Sequence, residues 1–277
     1  MAARLLRLWA LYAYLDGMWI ARDFRSFIFY YLADAVTAVA SVAGVLLLAQ
    51  RFDGIPPWTR DQVLFLLGFG MVARFVPDMM GNYNVLHISR RIGRGQLDHI
   101  LVQPQPVWMA LLTEGFAPFW GLLSLAPGVG LMVWAGQRMG LEATPSWLLA
   151  FALNLAGASA ALMAYAALWG FAAFFQPRAA EEISGSAVDL LTDLKGFPLD
   201  ALGPGLRTAL LTVIPAGLMA WYPCRALLGL DHGIAALWVT PAAAVALCCA
   251  ACLMFRMGMR RYAQVGSSRY TSFGHRR

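Results

Sequence analysis

The sequence is poor in charged residues. Only 13% of its 277 residues are charged, whereas 60% are apolar and the mean hydropathy is +0.61. A typical soluble domain is about 25% charged and about 45–50% apolar. These proportions exclude a disordered chain and a coiled coil, and they argue against an ordinary soluble enzyme. We therefore expect an integral membrane protein.

Lysine is almost absent from the sequence, and this excludes a P-loop nucleotide-binding site. The single lysine, Lys195, follows leucine, whereas a P-loop requires glycine directly before its lysine. The sequence also contains no H-E-x-x-H and no G-x-S-x-G motif, so we predict no catalytic residue. Three of the four cysteines lie in one charge-free run, 233–255, which holds no histidine or carboxylate, so we predict no metal site and no cofactor in this chain.

Long apolar runs predict the membrane spans, because a hydrocarbon core of about 30 Å needs roughly 20 apolar residues of helix. The strong runs are 27–50, 62–86, 107–135, 147–175 and 233–255. A weaker run, 208–224, is uncharged but short, and Pro215 interrupts it. We predict an all-α membrane protein with six transmembrane helices, forming a single domain over 1–277.

Residues 1–25 precede the first span and have amphipathic spacing. Leu5, Trp9 and Tyr12 share one face by the helical period, and arginines stand near both ends of the segment. The apolar run 8–15 is short, and Asp16 interrupts it, which does not suit a signal peptide. We expect an interfacial helix, and the alternative is a plain cytosolic lead-in to the first span.

The basic residues indicate the orientation. With the N-terminus inside, the cytoplasmic set holds 16 of the 21 basic residues: Arg4, Arg7, Arg22, Arg25, Arg90, Arg91, Arg94, Arg178, Lys195, Arg207, Arg256, Arg260, Arg261, Arg269, Arg276 and Arg277. Four lie outside, and Arg74 lies within a span. This bias predicts that both termini are cytoplasmic, including a tail over 256–277. Because the basic groups sit at membrane edges, we predict no nucleic-acid partner.

The segment 87–106, between the second and third predicted spans, is the most informative stretch. Its glycines predict a break, after which a short helix restarts at 96–102 with an apolar side and ends before two prolines. The residues concerned are Gly93, Gly95, Leu97, Ile100, Leu101, Pro104 and Pro106. Such a helix can present an apolar knob to a groove on a partner. On the residues alone, a solvated connecting loop is an equal alternative.

Three blocks resemble one family, in order along the chain. R-I-G-R-G-Q-L-D-H-I-L-V-Q-P over 91–104 is similar to the I-x-x-G-x-L-D-x-x-L-x-x-P pattern of ABC-2 type permeases, the membrane subunits of one class of ABC exporter. G-F-P-L-D-A-L-G-P-G-L-R over 196–207, followed by V-I-P, W-Y-P and L-L-G up to 229, resembles that family's next block. G-M-R-R-Y over 258–262 resembles its ending. Phe197 stands where the family usually has tyrosine, and Gly203 where a bulkier residue is common.

The resemblance implies a permease subunit of an ATP-driven exporter in the inner (plasma) membrane. Its partners would be a separate ATPase subunit, which holds ATP and magnesium, a second permease, identical or paralogous, and membrane lipid. The segment 87–106 would carry the coupling helix that docks into the ATPase. The coupling residues carried over are Arg91, Gly93, Arg94, Gly95, Leu97, Asp98 and Leu101. Asp98 would be a polar contact.

The fifth span has two alternatives. The resemblance places it at 179–197, followed by a re-entrant hairpin over 198–230 on the outer side, which leaves 14 basic residues inside and 6 outside. Hydropathy instead prefers 208–224, because acidic residues crowd the first alternative. A helix that lines a wet interface tolerates such carboxylates, and prolines suit a broken hairpin, so we favour 179–197.

Charged residues within spans usually face a bundle interior or a wet path. The candidates for a translocation path are Asp34, Arg74, Asp78, Glu114, Glu181 and Glu182. Arg74 and Asp78 are four residues apart and are expected to pair across one helical turn. Two other functions stay open: a secondary transporter driven by protons through Asp34 and Glu114, and an intramembrane enzyme that modifies a lipid.

Overall fold

The computed structural model describes residues 2–51, 56–80, 82–194, 196–231 and 233–266. Helices account for 82% of the structure, and the described ranges contain no β-strand, which confirms the all-α class. In chain order the α-helices are α1 (Ala2–Arg22), α2 (Phe24–Arg51), α3 (Arg60–Met79), α4 (Asn82–Leu86), α5 (Ile88–Gly93), α6 (Gln96–Leu101), α7 (Val107–Thr113), α8 (Pro118–Arg138), α9 (Pro145–Phe171), α10 (Pro177–Leu194), α11 (Pro204–Thr212), α12 (Trp221–Leu227) and α13 (Ala236–Val265).

Five of the described helices are long and apolar enough to cross a membrane: α2, α3, α8, α9 and α13. They overlap the five strong apolar runs of the sequence, and the chain is an integral membrane protein. Helix α13 continues past the predicted end of its run at residue 255 and ends at Val265. The first part of the expected tail is therefore helical.

Two of the predicted spans are not single helices. The run 62–86 forms α3 and then the separate short helix α4. The run 107–135 forms α7 and α8, with a break at 114–117 before Pro118 begins α8. Proline suits the first turn of a helix, where its missing N–H is not needed. The break in the third span places Glu114 at a helix end.

The alternative prediction of a single spanning helix over 208–224 is wrong. Helix α11 ends at Thr212, a 3-10 turn covers Pro215–Leu218, and α12 begins at Trp221. Pro215 has no N–H, and its ring clashes with the carbonyl four residues earlier in a continuing helix. By contrast, α10 is one unbroken helix of 18 residues, which is about 27 Å long at 1.5 Å per residue.

Helix α9 lies at the centre of the bundle. It packs against α13, α3, α4 and α10, while α8 packs along α3. The main core contains Leu64, Phe69 and Leu162, all nearly inaccessible to solvent. A second apolar cluster lies around α5 and α6 and includes Ile88, Leu97 and side chains from the ends of α9 and α13.

Helix α10 connects the two ends of the bundle. Near its start it packs against α5, and Ser184 Oγ donates a hydrogen bond to the carbonyl of Leu86, 3.4 Å away. Its other end contacts the turn at Pro215–Leu218. The residues that follow α10 reach Trp58, which lies just before α3. The segments 87–106 and 198–230 are therefore attached to opposite ends of α3.

Candidate functional site

The segment 87–106 folds into two short helices joined by a tight turn. Helix α5 ends at Gly93, and α6 begins at Gln96, as the sequence predicts. Gly95 occupies the turn with φ 69° and ψ 15°, a left-handed conformation that glycine adopts without steric cost. Helix α6 ends at Leu101, one residue earlier than predicted, and the prolines follow before α7. The glycines thus set the angle between α5 and α6.

Helix α6 has one buried face and one exposed face. Leu97 is fully buried and Ile100 is 4% exposed, and both pack in the second apolar cluster. Leu101 is 45% exposed and Val102 is 82% exposed, and Arg94 and His99 are also exposed. The apolar side predicted for this helix is therefore divided. Leu97 holds the helix to the protein, whereas Leu101 and Val102 form an exposed apolar knob.

Arg91 joins this segment to the break in the third span. Its guanidinium Nη1 lies 2.6 Å from Glu114 Oε2, and its Nη2 donates to Asn84 Oδ1 at 2.9 Å. Both charged side chains are mostly buried, with 18% and 22% exposure. The structure thus brings together a predicted coupling residue and a predicted translocation residue. Glu114 directly follows α7, the short helix after residue 106, and therefore lies close to the same end of the bundle as α6.

Asp98 and Tyr262 form a second connection from α6. The Tyr262 hydroxyl donates to Asp98 Oδ1 at 2.6 Å, although the two residues are 164 positions apart in the chain. Tyr262 is 5% exposed and its ring makes an edge-to-face contact with Phe174. Sequence reasoning placed Asp98 at a partner surface and gave Tyr262 no role. The aspartate carboxylate faces the last helix of its own chain.

Helix α1 covers the break between α7 and α8. The indole N–H of Trp9 donates to the carbonyl of Leu112 at 3.3 Å, and its ring stacks on Phe116 with centroids 5.7 Å apart. Burial raises the pKa of Tyr12, and the nearby Glu114 carboxylate raises it further. Burial also raises the pKa of Asp16, although the carboxyl accepts a hydrogen bond from the backbone N–H of Phe119. Helix α1 therefore lies beside the cluster formed by Arg91 and Glu114.

The remaining translocation candidates are spread over three helices. Arg74 Nε lies 3.1 Å from both carboxylate oxygens of Asp78, which confirms the pair expected across one turn of α3. The side chains of Asp34, Glu181 and Glu182 lie outside the described part of the structure, although their backbone belongs to α2 and α10.

Helix α10 has a strongly two-sided character. Val188 and Leu191 face the core, whereas Asp189 and Asp193 are exposed on the other side, four residues apart. Because residues four apart lie on one helical face, these two carboxylates form a stripe along α10. No group of three or more metal-ligating side chains comes together within the described ranges.

Sequence reasoning missed a buried polar centre around Asp200. Its Oδ2 accepts hydrogen bonds from the indole N–H groups of Trp58 at 2.5 Å and Trp221 at 2.6 Å. Its Oδ1 pairs with Arg225, and Asp231 pairs with the same guanidinium at 2.7 and 3.0 Å. A usable signal was present, because tryptophan, arginine and aspartate recur within a short, otherwise apolar stretch. This centre binds the segment after α10 to the connection before α3.

Comparison with protein families gives one match. A family model described as "ABC-2 family transporter protein" matches residues 35–266, which is most of the chain. No curated protein and no solved structure matches the chain.

Proposed function

Since the chain belongs to the ABC-2 family of transporter proteins, we propose that it is the permease subunit of an ATP-driven exporter. In this proposal it forms a translocation path as a dimer with a second permease, and a separate ATPase supplies the energy. ATP and magnesium bind to that ATPase, because this sequence has no P-loop. The chain itself then performs no bond chemistry.

The observation that carries the proposal is the exposed apolar knob on α6. A six-residue helix is too short to be stable alone, so its shape depends on the packing beneath it. The buried Leu97 and Ile100 hold the helix, and Leu101 and Val102 remain available to a partner. An exposed apolar knob suits a groove on a soluble subunit.

The proposed topology places both termini and the segment 87–106 in the cytoplasm, with the protein in the inner membrane. This orientation follows the arginine bias of the sequence. Helix α1 lies in the cytoplasmic interface, in keeping with its contacts to α7 and α8. Residues 256–277 extend into the cytoplasm, and the whole of 1–277 works as one permease domain.

We assign α10 as a spanning helix in addition to the five identified above. It is the fifth of the six spans in chain order. It runs from α5, at the cytoplasmic end, to the turn at Pro215–Leu218. The hydrogen bond between Asp200 and Trp58 supports the same assignment, because Trp58 belongs to the connection at the outer end of α3. The segment 198–230 then forms a re-entrant hairpin on the outer side, with its polar groups satisfied at Asp200.

The translocation path is proposed to follow the carboxylate stripe of α10. A spanning helix tolerates exposed carboxylates where it faces water or another subunit rather than lipid. Asp189 and Asp193 are exposed in the single subunit, and Glu181, Glu182 and Asp34 belong to the same proposed path. A second permease facing this stripe would enclose it.

The test is copurification from native membranes with an affinity tag on the permease. We expect a P-loop ATPase to be recovered in stoichiometric amount, and we expect Leu101→Arg combined with Val102→Asp to reduce its recovery about tenfold or more. The matched control is Val265→Asp, which changes an apolar residue whose exposure, 68%, lies between those of Leu101 and Val102, near the same end of the bundle. Transport that persists without any ATPase, or unchanged recovery with the double variant, would contradict the proposal.

A further inference from the structure

The last helix reaches far beyond the length that a membrane requires. Helix α13 has 30 residues, whereas about 20 suffice to cross the hydrocarbon core. In this extension Gly258 and Tyr262 are buried, Tyr262 within the second apolar cluster, whereas the described residues after Tyr262 are exposed. The extension therefore packs against the 3-10 turn Ala172–Phe174, and through Tyr262 it also reaches the proposed coupling helix.

Two residues on one face of the extension make this packing possible. Gly258 lies against the Phe174 ring so closely that an added Cβ would approach it within 2.4 Å. Tyr262 follows four residues later on the same face and is buried against the same ring. The close approach at Gly258 thus brings the Tyr262 hydroxyl to Asp98.

The contact with Asp98 is well suited to fixing the orientation of α6. Apolar packing of Leu97 and Ile100 is non-directional, so it holds the helix down without setting its rotation. A hydrogen bond to a carboxylate is directional and stronger than one between neutral groups. Asp98 lies between these two apolar residues in the sequence and points at Tyr262. The polar contact therefore supplies the constraint that packing lacks.

We infer that Tyr262 is a positioning residue that fixes the coupling helix to the last span, so that a force applied to α6 is transmitted to α13. The inference rests on the proposed function, because it assumes that an ATPase docks on α6. Arg91 and Glu114 make the corresponding link from α5 to the third span. Movement of the segment 87–106 would then act on two spans through two separate side-chain contacts.

The first test uses the purified permease alone and measures amide hydrogen exchange over 96–106. Tyr262→Phe keeps the ring against Phe174 and removes only the hydroxyl. We expect exchange in this segment to become about tenfold faster, because a bond to a charged group is lost. Asp98→Ala should have the same effect, and Asp98→Asn should retain much of the protection because it keeps an acceptor oxygen. Tyr14→Phe, at an exposed tyrosine of α1, is the matched control.

The second test uses the complex with its copurified ATPase. We expect Tyr262→Phe to lower kcat for ATP hydrolysis in the complex, with KM for ATP and ATPase recovery unchanged and the Tyr14→Phe control close to wild type. A variant that merely destabilised the permease would instead reduce recovery of the complex.

The outcomes separate the two ideas. Unchanged exchange over 96–106 in Tyr262→Phe overturns the anchoring role, whether or not an ATPase is found. Faster exchange with unchanged kcat overturns the transmission role and leaves the proposed function standing. If no ATPase is recovered with the wild type, the proposed function fails and the transmission role fails with it, while the exchange result still decides whether Tyr262 anchors α6.

Discussion

The side-chain amide of Asn154 donates a hydrogen bond to the backbone carbonyl of Leu237, 3.0 Å away. In a regular helix this carbonyl would accept from the residue four positions later, which here is Pro241 and has no N–H. Asn154 on α9 therefore replaces a missing bond inside α13. Because an unsatisfied carbonyl is costly in a membrane, this contact allows proline within a spanning helix.

The same arrangement occurs on the other side of α9. The Ser159 hydroxyl donates to the carbonyl of Ala73 at 2.7 Å, and the residue four positions after Ala73 is Pro77. Both donors are buried in the central helix. Helix α9 thus satisfies two proline-exposed carbonyls, one in each of two neighbouring spans.

We predict that Asn154→Leu destabilises the protein by about 1–2 kcal/mol, because the Leu237 carbonyl loses its donor. In a Pro241→Ala background, the N–H of residue 241 can bond to the Leu237 carbonyl. Asn154→Leu should then lower the free energy of unfolding by less. Equilibrium unfolding in mixed detergent and SDS micelles measures both values. An equal loss in the two backgrounds would show that Asn154 acts through its other acceptor, the carbonyl of Ala150.

The apolar runs and the break at the glycines of 87–106 were predictable because they depend on local sequence. Hydropathy located five spans, and proline and glycine located α6 within one residue. The proline-exposed carbonyls could also have been found by counting back four residues. The side chains that donate to these carbonyls, Asn154 and Ser159, could not have been found, because nothing in the sequence says which helix passes beside them.

Pairs of side chains that are far apart in the sequence could not be predicted either. The family resemblance assigned Asp98 to a partner surface, and the lack of a complementary residue nearby assigned Glu114 to a substrate path. Their partners, Tyr262 and Arg91, come from different helices, and only the packing of the second apolar cluster brings them together. In the segment 198–230, the charge on Asp200 was visible in the sequence, but the two indole N–H groups that bind it were not.

The centre at Asp200 should dominate the stability of the segment after α10. Asp200→Asn keeps the shape but removes the charge facing the mostly buried Arg225, so we expect a loss of about 3 kcal/mol. Asp231→Asn is the matched control, because it removes the more exposed partner of the same guanidinium and should cost less than about 1 kcal/mol. Thermal unfolding followed by tryptophan fluorescence reports both, since two tryptophans bind Asp200. Equal losses would show that the two carboxylates share the role.

The pair between Arg91 and Glu114 should respond to charge more than to shape. Glu114→Lys places two cations together and should lower the unfolding temperature and the recovery of the proposed ATPase partner. Combining it with Arg91→Glu restores opposite charges, so we expect partial recovery of both properties. Recovery stays partial because Arg91 also binds Asn84, which glutamate cannot do in the same way. A double variant as defective as the single one would argue against a direct electrostatic pair.

Asp16 should make stability depend on pH in the acid range. Its pKa in the folded protein is raised by burial above the ordinary value of 3.8, so the folded state binds the proton more tightly than the unfolded state. The contribution of this group is therefore most favourable at low pH and is lost as pH rises from 3.8 through the folded pKa. Asp16→Asn keeps an acceptor for Phe119 and should remove this dependence. Unfolding temperatures of both proteins between pH 4 and pH 7 test it, and parallel profiles would contradict it.

The proposed course of α10 predicts which side of the membrane residue 203 faces. If α10 crosses the membrane, Gly203, which is exposed just after it, lies outside, whereas the exposed His99 on α6 lies inside. Gly203→Cys should then react with a membrane-impermeant maleimide in intact cells, and His99→Cys only after the membrane is opened. Both variants are built after Cys224, Cys248, Cys249 and Cys252 are replaced by alanine, since two of these are exposed. Labelling of both positions only after opening would place 198–207 in the cytoplasm and exclude α10 as a spanning helix.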